Sequence, residues 1–175
     1  AVATMTGGSG AVAVLLTDGS FDNQNHARHA ITCGTVKNAI QHHDLCHWGF
    51  EEKGMPTDSK IVMRTRAQQV LENGVGLAVE TFREFLNEFN LKREDVDKFI
   101  AHQVGALHHQ SFYSALDIDM KKDFATFPFL GNVGTVSLPI SAAIAEERGF
   151  LEKGDFVVFI GVGSGLNCLI LGIEW

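Results

Sequence analysis

Basic charge is scarce in this sequence. Its 14 Lys and Arg face 21 Asp and Glu, for a formal net charge of −7. Non-specific nucleic-acid binding draws its affinity from a basic surface that displaces counterions, and the balance here has the wrong sign. Long apolar runs are missing too: no uninterrupted stretch approaches the length needed to span a bilayer, and no secretory leader is expected. There are only three cysteines, Cys33, Cys46 and Cys168, and they lack a regular disulfide framework. Reduced thiols and a cytoplasmic location are the expectation. Tyrosine occurs once and tryptophan twice, against 13 phenylalanines, which points to an apolar interior.

What is present fits one globular domain. The 175 residues suffice for a sizeable core, and 45% apolar with 20% charged content argues against disorder. The chain starts at Ala1 without an initiator Met and runs at once into structured-looking sequence. That is expected of the continuation of a longer chain, or of a subunit that completes another.

Thr6-Gly7-Gly8-Ser9-Gly10-Ala11 reads as a structural turn, and the apolar residues 11–17 predict a buried strand. A glycine turn before a strand is the wrong order for a dinucleotide-binding fingerprint. Residues 18–60 are polar and turn-rich with no sustained period, the pattern of an irregular, His-rich excursion. His26, His29, Cys33, His42, His43, Cys46 and His47 fall within it. Zinc sites use closely spaced ligand pairs, which no cysteines here provide, so no metal is predicted. From about Lys60 to Phe89, apolar residues recur at three- and four-residue intervals and predict one long helix. Gly74 and Gly76 within it suggest close packing on another element. Strands are predicted over 98–101, 124–127, 156–161 and 166–175, and helices over 105–116 and 135–148, with Gly149 ending the last. The order points to an α/β sheet with a mixed edge.

Two polar motifs stand at candidate site positions. His102-Gln103 follows the strand 98–101, and Gly131-Asn132-Val133-Gly134 follows the segment 124–127. Ligands of parallel α/β sheets collect at the carboxyl ends of strands.

Together, and in this order, Ala101-His102-Gln103-Val104, Gly131-Asn132-Val133-Gly134 and Gly161-Val162-Gly163-Ser164-Gly165-Leu166-Asn167-Cys168 resemble the C-terminal half of β-ketoacyl-acyl-carrier-protein synthase III and its thiolase-fold relatives. The 30 positions from His102 to Asn132 are typical of that family. The terminal motif looks closest to the branch that condenses two acyl-CoA chains head to head, the olefin-pathway thiolases. Synthase III proper tends to carry a glycine triplet where Ser164 here replaces the middle glycine. The resemblance implies an α/β fold, the C-terminal half of the thiolase-like fold, with helices packed on both faces of a mixed sheet. One C-terminal domain then spans 1–175, and residues 1–17 are the turn and strand that close the preceding half.

The same resemblance implies an acyltransferase that performs Claisen condensation of acyl thioesters. His102 and Asn132 would donate to the enolate or thioester oxygen, and the backbone N–H of Ser164 would serve a second oxyanion hole. No tightly bound cofactor is implied; CoA or acyl-carrier phosphopantetheine carries the substrate. Arg64 and Arg66 are candidates for CoA phosphates, which guanidinium binds bidentately. The family's nucleophile is a cysteine at a helix N-terminus in the N-terminal half, and none of the three cysteines here fits it. The implied partners are that half, acyl-CoA or acyl carrier protein, and a second copy in a homodimer. Gly105-Ala106-Leu107-His108-His109 follows the His-Gln motif without a Lys or Arg, so strong steering of an acidic carrier is not expected. Lys121 and Lys122, with the two arginines, remain as local basic patches. A non-catalytic thiolase-fold binding or assembly module is the alternative, and the retention of both His102 and Asn132 speaks against it. A metal-binding domain would rest on the 26–47 cluster alone.

Overall fold

Phe156-Val157-Val158-Phe159-Ile160 has the composition of a strand covered on both faces, and it runs through the middle of the sheet. The computed structural model describes residues 7–20, 29–50 and 61–175. Its elements in chain order are β1 (Ala30–Asn38), β2 (Cys46–Phe50), β3 (Ile61–Thr65), α1 (Ala67–Glu88), β4 (Lys98–Ala101), α2 (Ala106–Leu116), the single turn α3 (Phe127–Leu130), α4 (Ser137–Glu147), β5 (Phe156–Gly163) and β6 (Asn167–Glu174). Four strands form one sheet in the order β1-β6-β5-β4, while β2 and β3 form a separate antiparallel hairpin. β4 pairs parallel with β5, and the other two pairings are antiparallel, so the sheet is mixed.

Period-two alternation divides the core between the two faces. Phe99 and Ala101 of β4, Val158 and Ile160 of β5, and Cys168 and Ile170 of β6 pack with α1 and α2. Ile100 and Val157 point the other way and pack with Ala142 and Ala145 of α4 and with Leu151. Helices therefore cover both faces, as the sequence implied. α1 buries Gly74, Leu77, Ala78, Thr81, Phe82 and Phe85, a stripe at helical spacing. Gly74 packs closely on β5, where a Cβ would lie 3.4 Å from Val162; at Gly76 nothing comes within 4 Å, so only one of the two glycines marks a contact. α4 ends as predicted: Gly149 takes φ +68° and donates to Glu146 O, while Phe150 donates to Ala145 O.

The structure corrects four expectations. Residues 18–60 are not wholly irregular, since they contain β1 and β2. β1 is an edge strand whose only buried residue is Thr35, with Val36 65% exposed, so its sequence lacks the alternation that reveals a half-buried strand. The stretch 61–65 is a strand, not the start of the long helix. Its Ile-Val-Met-Arg-Thr composition favours β structure, and it pairs residue for residue with β2. Residues 11–17 form no strand, and Leu15 and Leu16 are each 75% exposed. Among the described residues no strand lies beside this segment to form a ladder. The fourth, residues 124–127, is a strand only at its edge: Asp123 makes one parallel bridge to Phe99, and the chain then turns into α3, where Pro128 has no N–H to donate to a ladder.

Phe85 is fully buried between α1 and the sheet. Phe85→Ala should cost about 3–5 kcal/mol of stability in urea unfolding followed by circular dichroism. A loss below about 1 kcal/mol would contradict this packing.

Candidate functional site

β4 ends where its neighbour continues. The His102 backbone N–H bonds Ile160 O at 2.9 Å, which extends the parallel ladder by one step and fixes His102 at the carboxyl end of the strand. Its ring is half-buried, and burial lowers its pKa below the usual histidine value, so the imidazole is neutral at pH 7. His108, one turn into α2, is pushed down to about 4 by burial, with the neighbouring His102 and His109 adding to the shift. The site thus holds uncharged imidazoles, each with one N–H to donate.

Gln103, the next residue, is 2% exposed. Its Nε2 donates to Phe124 O at 2.8 Å, and its Oε1 accepts from the backbone N–H of Thr126 at 2.7 Å and of Phe127 at 2.8 Å. One side-chain amide thereby supplies, to the segment after Asp123, bonds that a neighbouring strand would otherwise provide. Sequence reasoning quoted Gln103 within its motif and gave it no role, because its partners lie more than 20 residues away.

The segment so held leads through α3 into the Gly131-Asn132-Val133-Gly134 turn. Gly131 and Gly134 adopt φ of +68° and +61°, which explains why glycine stands at both positions. Asn132 Oδ1 accepts from Gly134 N–H at 2.9 Å. That bond commits the acceptor end of the amide and leaves the Nδ2 hydrogens as the end available to a ligand oxygen. Asn132 O accepts from Gly8 N–H at 2.8 Å. The approach is so close that a Cβ on Gly8 would fall 1.9 Å from Leu130 O. The opening glycine turn is therefore structural, as predicted, and it clasps the Asn132 turn. Val104 and Gly105, just after the His-Gln pair, face Phe127–Gly131 and Gly7 across a cavity of about 410 Å³. The His102 and Asn132 segments are neighbours in space.

The other candidates fall elsewhere. Ser164 is exposed in the β5–β6 turn, where its carbonyl accepts from Asn167 Nδ2 at 2.8 Å. Arg64 lies on β3 opposite His47, and Arg66 precedes α1 and pairs with Asp44 at 3.3 Å. Lys122 donates to Val96 O. Cys168 is buried in β6, and burial pushes its thiol up to about 11, far from the thiolate that a nucleophile needs. Cys46 meets Thr65 Oγ1 at 3.5 Å across the hairpin, and His47, next on the strand, points to the opposite face.

The His/Cys cluster of the sequence is dispersed. His29 stacks on Trp175 at 3.7 Å, at the start of β1, while His43 bonds Ile40 O beyond its far end, about 27 Å along the strand. His26 lies outside the described residues. Among those residues no group of three or more His, Cys, Asp or Glu could hold a metal ion, and no helix is long and apolar enough to cross a membrane. One buried polar network was not foreseen: Asp123 accepts from Tyr113 Oη and pairs with His109 Nε2. Burial, then the Asp123 charge, raises the Tyr113 pKa, so the phenol stays a donor. His109 and Tyr113 share a face of α2 at i, i+4, but nothing local in the sequence links them to Asp123.

Comparison with known proteins places the chain in a family. Residues 86–175 match the family described as 3-oxoacyl-[acyl-carrier-protein (ACP)] synthase III C terminal. The acyl-CoA:acyl-CoA alkyltransferase of Shewanella oneidensis is 51% identical over 174 residues, covering 99% of this chain and 50% of that protein. The enzyme of the same name from Xanthomonas campestris is 32% identical over 142 residues, 81% of this chain and 39% of its own length. A crystal structure of cerulenin-bound Xanthomonas campestris OleA superposes with a TM-score of 0.73 at 31% identity, covering 84% of this chain and 40% of that one. The chain spans about half the length, or less, of the curated relatives it matches. Sequence identity, family match and shared fold agree: the chain belongs to the 3-oxoacyl-[acyl-carrier-protein] synthase III C-terminal family, within the thiolase-fold branch that includes OleA.

Proposed function

We propose that this chain is the condensing half of an acyltransferase that joins two acyl thioesters by Claisen condensation. The observation that carries this reading is a neutral, half-buried His102 at the end of β4, with an Asn132 on the neighbouring segment whose amide oxygen is already bonded to Gly134 N–H. A second half, outside this chain, supplies the cysteine, since Cys168 is locked in the core as a thiol. It also covers the exposed apolar residues Val14, Leu15 and Leu16.

The chemistry follows from these groups. One acyl chain is held as a thioester on the partner cysteine. The second thioester gives up an α-proton to a general base carried by the cysteine-bearing half, or carbon dioxide where its acyl group is a malonyl, and becomes an enolate. Its oxygen takes hydrogen bonds from the His102 ring N–H and Asn132 Nδ2–H. The enolate carbon attacks the cysteinyl thioester carbonyl, and the new C–C bond leaves an oxyanion to which the Ser164 backbone N–H contributes. Collapse breaks the C–S bond, frees the thiolate and releases a β-ketoacyl thioester. Each oxyanion donor is worth about 3 kcal/mol.

Acyl-CoA on both sides is the favoured substrate pair. The relative 51% identical over nearly the whole chain is named an acyl-CoA:acyl-CoA alkyltransferase. The residues after Gln103 also carry no basic side chain to dock an acidic carrier. Arg64, on β3, and Arg66, just before α1, serve as phosphate ligands, with Arg66 exchanging Asp44 for a CoA phosphate.

Three outcomes test this reading. With the cysteine-bearing half restored, His102→Ala and Asn132→Ala should each slow condensation by about 10²-fold or more while acylation of the cysteine continues; full condensation in either variant contradicts the assignment. Among malonyl-carrier, malonyl-CoA and long acyl-CoA offered in parallel, the acyl-CoA pair should give product, and turnover of malonyl-carrier alone contradicts the substrate choice. Finally, burial holds the folded-state pKa of His102 below its ordinary 6.5, so its contribution to stability is complete above pH 6.5 and is lost as pH falls through the folded value. In urea titrations at several pH values, His102→Gln should lose stability less steeply below pH 6.5 than the parent. An equal slope contradicts a neutral, desolvated ring.

A further inference from the structure

We infer that Gln103 is a positioning residue for condensation, acting through Asn132. The inference rests on the assignment of Asn132 as an oxyanion donor and extends it to the group that sets where Asn132 stands.

α3 begins without a cap of its own. Thr126 occupies the cap position and makes no side-chain capping bond, so the first amides of the turn need another acceptor. Gln103 Oε1 reaches across from the end of β4 and accepts from both Thr126 and Phe127. Its Nε2 holds Phe124 O at the same time, so one planar amide fixes the segment at three backbone points. Thr126 Oγ1 lies 2.7 Å from Ser141 Oγ, which anchors the same residue to α4.

From there to Asn132 the chain has no slack. Leu130 N–H bonds Thr126 O at 2.9 Å, and Gly131 N–H bonds Phe127 O at 3.0 Å. The residues clamped by Gln103 are thus the ones whose carbonyls hold the last residues before Asn132. The clamp comes from the residue beside His102, so the two oxyanion donors share one reference point. A move of the α3 turn relative to β4 is a move of Asn132 relative to His102. Misplacement by about 1 Å can cost about 10²-fold in rate. Gln103 itself is 2% exposed and bonds protein backbone through both ends of its amide, so its contacts are with the α3 segment.

The test uses the enzyme assembled with its cysteine-bearing half. Gln103→Leu should lower condensation kcat by about 10- to 100-fold with little change in KM or in cysteine acylation. Because Gln103 works through Asn132, adding Gln103→Leu to Asn132→Ala should cost no more than about a further twofold. Gln103→Glu keeps the acceptors for Thr126 and Phe127, and should recover a substantial part of the rate lost in Gln103→Leu. If Gln103→Leu does not fold, the same cycle is run with Gln103→Met. Losses that multiply in the double variant, or condensation unaffected by loss of the Gln103 amide, overturn the inference. Full condensation in Asn132→Ala alone identifies the failure as that of the oxyanion assignment instead.

Discussion

β4 has four residues, yet its parallel pairing with β5 decides where His102 and the candidate site stand. β5 is buried on both faces and antiparallel to β6, so its position is fixed by the whole core. β4 inherits that position through the ladder from Lys98 to Ala101, and His102 extends it by one bond. The strand must then stop, because Gly105 opens α2. A polar residue at this point projects beyond the sheet's carboxyl edge while its backbone remains part of the sheet. A rigid element therefore delivers the imidazole, and the surrounding burial keeps it neutral.

Asn132 is delivered differently. No strand carries it: the segment before it touches β4 through one bridge at Asp123 and then depends on side chains. Gln103, the Tyr113–Asp123–His109 network and the Thr126–Ser141 contact replace the ladder. Side-chain bonds can be placed at a bend where a regular ladder cannot continue. The cost is that buried polar groups must all be satisfied, since each one left unpaired destabilises by about 1–3 kcal/mol. The Gly8 contact on Asn132 O adds a third direction of restraint from a segment whose apolar continuation is exposed here.

Much of this was legible in the sequence where the signal was local. β4, α2, α4 with its Gly149 cap, and the β5–β6 hairpin follow from periodicity and punctuation, and His102 stands at the end of β4 as strand-end logic placed it, whereas Asn132 follows a helical turn and not a strand. The misses were non-local. β1 is an edge strand with one buried side chain, so its register comes from β6 and not from its own pattern. β3 was absorbed into the helix that follows, because five residues carry too little period to separate them. Residues 124–127 carry strand-like apolarity, but Pro128 and Gln103 divert them. Gln103, Asp123 and Tyr113 could be read as polar or aromatic residues, but not as partners. None of the three cysteines was expected to be the nucleophile; the structure places Cys168 in the core, Cys33 part-buried on β1 and Cys46 beside Thr65 in a hairpin.

Under the proposed function, His102 and Asn132 form a single oxyanion-binding unit, with the Asn132 amide oriented by Gly134. The most direct measurement is a crystal structure of the assembled enzyme with a non-hydrolysable acyl thioester analogue bound. The account predicts its carbonyl oxygen about 2.7–3.1 Å from both a His102 ring nitrogen and Asn132 Nδ2. A carbonyl oxygen held by other groups, or an Asn132 amide turned to present Oδ1, would contradict it.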